Sequence, residues 1–213
     1  MTDRPLAVVT ACVLASLAWV TTFALAHRHG VAAPALAALA AAIALALYAW
    51  VPGLRALWRP SVRSALWGVG AGGALLGTTY ALYPLVRSLV PGIEEEVRAL
   101  YQGALSEPRV VLPTLIFVVL AEETIWRGAL LGALRTDHEA PVAVLLSAAL
   151  YAAAQAGAGS VVLVVAAFGL GAVWGALAIF TRGLFAPFIA HLLWTPTVLF
   201  LVPLASGAPT AAP

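Results

Sequence analysis

The sequence predicts an all-α fold, a polytopic transmembrane helical bundle of about seven spans with a short amphipathic surface helix between spans three and four. Three observations predict it. Of 213 residues, 63% are hydrophobic and 9% are charged, and the mean hydropathy is +1.01. A soluble domain of this size has too little interior to hide that much apolar surface, so most of it must face lipid. The apolar residues come in runs of about 20, the helical length that crosses a hydrocarbon core of roughly 30 Å, with short polar punctuation between them. The third observation is that continuous Ala, Leu and Val runs stand where an outer-membrane barrel would show alternating strands of about ten residues.

Taken in order, the first span covers 6–26. It follows Arg4 and ends in Ala24-Leu25-Ala26, a small-residue setting in which signal peptides are cleaved. Its apolar stretch exceeds the roughly 7–15 residues of a signal core, which favours a retained helix. Cys12, inside it, is the only cysteine and reads as a small packing residue. The second span covers 31–51. Segment 54–64, LRALWRPSVRS, carries Arg55, Arg59 and Arg63 with Leu57, Trp58 and Val62 between them. It suits either an interfacial stretch against anionic headgroups or a plain cytoplasmic loop.

The third span covers 65–86, and 87–109 is the longest polar connection. There Pro91-Gly92 turns the chain, and Ile93, Val97 and Leu100 recur at helical spacing among Glu94, Glu95, Glu96 and Arg98. That pattern predicts an amphipathic surface helix whose acidic run is a solvated face. Spans four to seven cover 110–134, 141–156, 160–181 and 184–204, the fifth being short for a crossing. Residues 1–109 thus form N-terminal helices and their connection, 110–205 a second helical unit, and 206–213, SGAPTAAP, a flexible tail. The pairs Gly68 and Gly72, Gly73 and Gly77, and Gly171 and Gly175 are each four apart, a spacing that lets helix backbones approach closely in lipid.

All basic residues are arginines. Arg4, Arg55, Arg59, Arg63, Arg135 and Arg182 fall on one side of the predicted membrane, and Arg28, Arg87, Arg98 and Arg109 on the other. The bias favours a cytoplasmic N-terminus. The isoelectric point near 9.0 then reflects topology, and no nucleic-acid partner is implied. Arginine without lysine, with abundant alanine, points to a GC-rich bacterial genome and so to a plasma membrane.

The membrane interior retains a short set of polar residues: Glu122, Glu123 and Arg127 in the fourth span, Gln155 in the fifth, and His191 and Thr195 in the seventh. An ionised side chain at mid-bilayer costs from about 2.5 to more than 10 kcal/mol, so such residues face the bundle interior and mark function. On an α-helix Glu123 and Arg127 share a face and can neutralise each other. Glu122 lies about 100° away and has no partner on its own helix. A carboxylate in a water-poor pocket can act as a general base near neutral pH. The alternatives for Glu122 are a protonated, hydrogen-bonded core residue and a second partner of Arg127. Isolated polar residues on separate spans gain by meeting, which favours a shared site for Glu122, Gln155 and His191. Zinc wants three or four ligands, and one histidine with a glutamate tied to arginine does not supply them, so no metal or cofactor is expected. Phosphate loops, a nucleophile elbow and the half-helix repeats of transporters are not seen in the sequence.

These residues resemble the CAAX prenyl protease 2 and bacteriocin-processing group, the CPBP or Abi intramembrane proteases. That family carries Glu-Glu-x-x-x-Arg, then Phe-x-x-x-His, then His-x-x-x-Asn or Asp, on three helices. The first motif stands complete in EETIWR, 122–127; the third appears as His191 and Thr195 in TRGLFAPFIAHLLWT; the second aligns with Tyr151 to Gln155, YAAAQ. The resemblance covers roughly residues 110–200. It implies hydrolysis of a peptide bond in a membrane-associated protein or peptide. Glu122 would activate water, Glu123 and Arg127 would support it as an ion pair, and His191 would hold the oxyanion. Gln155 departs from the family histidine and Thr195 from Asn or Asp. An amide orients water but exchanges no proton near neutral pH. The second reading is therefore a catalytically impaired relative that serves as a membrane adaptor or chaperone.

Overall fold

The computed structural model describes residues 3–29, 32–104 and 108–205; the tail 206–213 lies outside them. The helices are α1 (Asp3–His29), α2 (Ala32–Trp50), α3 (Val62–Leu89), α4 (Ile93–Ala104), α5 (Pro108–Glu122), α6 (Leu131–Leu134), α7 (Ala140–Gln155), α8 (Val161–Thr181) and α9 (Phe185–Pro196). Short 3₁₀ turns occupy Leu54–Trp58 and Ala156–Ala158, and π-helical stretches occupy Glu123–Leu130 and Thr197–Leu201. No strand occurs among the described residues.

Among the described residues three helical segments, Val62–Leu89, Ala140–Ala158 and Val161–Thr181, have both the length and the apolar content to cross a bilayer. Shorter apolar helices lie at Pro5–Thr21, Ala37–Trp50 and Phe185–Leu201. Of the seven crossings expected from hydropathy, three are matched by helices of crossing length among the described residues, so the expected count of seven is not reached. The fifth, expected to fall short, is one of the three, because the 3₁₀ turn carries α7 on to Ala158. Large apolar side chains such as Leu66, Trp67, Leu85, Val165 and Phe180 point outward, while Glu122, Glu123 and Arg127 lie inside, the inversion that a lipid solvent favours.

The helix through α5, the π stretch and α6 runs up the middle. Every residue from Ala121 to Leu131 is buried, enclosed by α1, α2, α7, α8 and the 54–58 turn. The sequence pattern suggests a plain α-helix here. The structure instead widens the winding, with Leu131 N–H bonding back to the Trp126 carbonyl five residues earlier. Ser147 Oγ, on α7, donates to the same carbonyl at 2.8 Å.

Around this centre, α7 packs along α8, α3 along α9, and α2 along α5. The glycine pairs divide. A Cβ at Gly68 would sit 2.6 Å from the Ala186 carbonyl oxygen, and one at Gly72 would sit 3.1 Å from the Ala190 Cα, so these two let α3 touch α9. A Cβ at Gly175 would meet Val144 at 3.3 Å, which draws α8 onto α7. Gly73 and Gly77 face open space, contrary to the packing role read from their spacing, because they lie on the outward side of α3.

Segment 54–58 is no plain loop: Leu54 is buried, Trp58 meets Phe188 edge to face at 5.5 Å, and Leu184 N–H donates to the Leu57 carbonyl at 2.8 Å. In α4, Val97 and Tyr101 are buried as the amphipathic pattern requires. Its acidic run is more than a solvated face. Glu96 Oε1 accepts from Ser160 Oγ at 2.7 Å and from Val162 N–H at 2.9 Å, capping the start of α8. The same helix reaches the chain end through Tyr101, whose hydroxyl donates to the Val198 carbonyl and accepts from Leu204 N–H.

Candidate active site

Three helical segments bring the polar residues together, and the winding of the central one aims its two glutamates into the interior. Glu123 is 0% exposed and Glu122 5%. Glu123 meets Arg127 within its own helix, Oε1 to Nη1 at 3.3 Å, and accepts from His191 Nδ1 at 2.8 Å. One carboxylate oxygen therefore holds both the guanidinium and the imidazole. The guanidinium is further enclosed by two rings, with Cζ 4.4 Å from the centre of Tyr151 and 5.2 Å from that of Trp174.

Glu122 takes its partners from other helices. Tyr151 and Gln155 are four apart on α7 and share a face. The Tyr151 hydroxyl donates to Glu122 Oε2 at 3.2 Å and the Gln155 amide donates to Oε1 at 3.1 Å. His191, on α9, points Nε2 at Glu122 Oε2 from 3.7 Å, an approach in reach of charge but too long for a direct hydrogen bond. The five side chains Glu122, Glu123, Arg127, Gln155 and His191 are all buried. Arg127 and Glu123 lie close enough to offset each other's charge within this buried cluster.

Thr195 is set apart. It is half-buried on α9 one turn beyond His191, and none of the cluster's hydrogen bonds reaches it. The sequence reading also passed over Trp174. Its indole stacks on the His191 ring with centroids 3.7 Å apart and planes at 20°. A signal existed, since Trp174 sits between Gly171 and Gly175. A Cβ at Gly171 would lie 3.0 Å from Tyr151 Cδ1 and 3.4 Å from Arg127 Nη2, so that glycine leaves the room these side chains occupy. The neighbouring cavity of about 390 Å³ is lined by Val8, Leu54, Gly128 and Ala129 among others, and not by the glutamates.

No three His, Cys, Asp or Glu side chains among the described residues are grouped as ligands for a metal ion. What the cluster offers is a carboxylate held by two neutral donors, beside an imidazole whose orientation a second carboxylate sets. That combination suits proton transfer to and from a water molecule.

No curated protein and no solved structure matches the chain. One family's sequence model does, under the description "Type II CAAX prenyl endopeptidase Rce1-like", and it matches residues 104–196. That segment contains both glutamates, Arg127, Tyr151, Gln155, Trp174, His191 and Thr195, and the family is the one that the three motifs resemble. Its members are proteases, and the apolar helices fit the integral membrane setting that the family implies. Over residues 104–196 the chain is similar to the Rce1-like family of type II CAAX prenyl endopeptidases, which is the family its motifs resemble.

Proposed function

We propose that this protein is an intramembrane endopeptidase that cuts a membrane-associated protein or peptide with water activated by Glu122. The observation that carries the reading is the convergence on Glu122 of Gln155 Nε2, Tyr151 Oη and His191 Nε2, at 3.1, 3.2 and 3.7 Å, from two other helices. In this reading 110–205 form the catalytic core, the N-terminal helices buttress it, and the N-terminus is cytoplasmic.

The chemistry follows from the donors. A water lying between Glu122 and His191 attacks the peptide carbonyl and passes a proton to Glu122. The oxygen of the carbonyl becomes an oxyanion that needs a positioned N–H. Because His191 Nδ1 faces Glu123, Nε2 is the ring nitrogen left to serve the oxyanion, and Glu123 orients the imidazole that carries it. Collapse of the tetrahedral species breaks the C–N bond, and Glu122 returns the proton to the leaving amine. Gln155 does not replace the family histidine as a proton acceptor; it holds the carboxylate in place.

The test uses purified protein in lipid nanodiscs with a panel of membrane-anchored peptides. Cleavage should occur and should fall by about 10²–10⁴ in Glu122→Gln, the span that acid–base catalysis contributes. Undiminished cleavage by that variant would remove Glu122 from the base role. The specific observation favouring an adaptor is that Tyr151 and Gln155 already engage both oxygens of Glu122. A silent natural protein that gains proteolysis in Gln155→His would establish that second reading.

A further inference from the structure

Trp174 does more than enclose the Arg127 guanidinium: it makes the closest ring contact among the described residues. Trp174 is 1% exposed and lies flat on His191. Its Nε1 is buried and has no hydrogen-bond partner among the described residues, whereas buried tryptophans ordinarily use that donor. The ring, and not its N–H, is what the site employs.

A histidine held by one hydrogen bond still swivels, since the ring torsion has broad minima. The Nδ1 contact to Glu123 defines one point on the imidazole. A stacked indole defines its plane. Point and plane together set where Nε2 looks, and that direction is toward Glu122. The indole's negative face also favours a cationic ring lying on it. Trp174 is braced in turn by Trp194, edge-on at 6.4 Å, whose Nε1 donates to Thr79 Oγ1 at 3.0 Å. The brace therefore begins on α3, outside the segment matched to the family.

We propose that Trp174 is a positioning residue for His191, stacking on the imidazole so that Nε2 is presented to the Glu122 carboxylate and to the developing oxyanion. This rests on the protease reading above for its catalytic consequence, but the orientation of the ring is measurable without any cleavage. The groups facing His191 are Glu122 and Glu123 from the central helix and Trp174 from α8, with Arg127 held by Glu123.

The experiment compares the full chain with Trp174→Phe, which keeps an aromatic plane, and Trp174→Leu, which removes it; Trp174→Met serves if the leucine variant does not accumulate. Selective ¹⁵N-histidine NMR in nanodiscs reads the hydrogen-bonded Nδ1–H of His191, assigned by its loss in His191→Gln. The signal should persist in the phenylalanine variant and broaden away in the aliphatic one. On a peptide that the natural protein cleaves, the aliphatic variant should lose about 10²-fold in kcat with KM within about twofold, as for loss of one oxyanion donor, and phenylalanine should restore activity to within about threefold. An unchanged Nδ1–H signal in the aliphatic variant, or phenylalanine falling as far as leucine, overturns the proposal. If no peptide is cut by the natural protein, the protease reading fails while the NMR comparison still decides the role of Trp174.

Discussion

Replacing Arg127 by methionine tests whether the second glutamate and the arginine are a structural pair or part of the chemistry. The substitution leaves Glu123 at 0% exposure with its cationic partner gone. Breaking a buried ion pair by removing one partner costs about 3–5 kcal/mol. Here the lower end applies, because Glu123 Oε1 keeps His191 Nδ1 at 2.8 Å and methionine refills much of the volume between Tyr151 and Trp174. A loss of about 3 kcal/mol lowers the melting temperature of a chain this long by about 6–12 °C. In the double variant Glu123→Gln/Arg127→Met no uncompensated charge remains, so thermal unfolding in detergent should return to within about 4 °C of the natural protein. Activity should not return, since the imidazole has lost the carboxylate that orients it. If the single variant melts with the natural protein, or the double variant melts as low as the single, the pair does not hold the site as argued.

Three further outcomes follow from individual contacts. Gly68→Ala should destabilise the α3–α9 contact, because its Cβ would lie 2.6 Å from a backbone oxygen, while Gly77→Ala meets nothing within 4 Å and should gain up to about 1 kcal/mol from helix propensity; melting curves that do not separate the two would refute the close approach. Glu96 is held below the ordinary carboxylate range, first by the Ser160 hydroxyl and then by the Val162 N–H. A carboxyl lowered on folding contributes stability above its unfolded value, about pH 4.3, and loses it as pH falls through its own lower value. Hydrogen exchange at the Val162 amide, corrected for its intrinsic rate, should therefore be slow near neutrality and accelerate in acid. In Glu96→Gln that acid step should vanish, and its persistence would assign the step to another group. A chelator should leave proteolysis intact, and full inhibition reversed by added zinc would instead place a metal at Glu122 and His191.

Much of the architecture was legible because lipid imposes a simple code. Apolar runs predict helices and hide no register, and the polar exceptions EETIWR, Gln155 and His191 stand out against them. The amphipathic pattern of Ile93 and Val97 likewise foretold α4. Less legible was anything that depends on which neighbour a residue meets. Gly68 and Gly73 are equivalent in sequence, yet one touches α9 and the other faces outward. Glu96 reads as one solvated acid among three, yet it caps a helix 64 residues away in the chain. Trp174 reads as one more apolar residue in an apolar span, yet it lies on the only imidazole of the cluster.

By itself the sequence determined the all-helical fold, the buried acidic pair with its arginine, and the histidine that accompanies them, since each departs from what a lipid interior tolerates at no cost. Tertiary structure alone decided the rest. It widened the central helix into a π winding steadied by Ser147, placed Glu122 between Tyr151 and Gln155, and put Glu123 against the imidazole. The physical reason is that hydropathy sums over single residues, whereas the direction of a carboxylate is set by the donors that three separately threaded helical segments bring within about 3 Å of it.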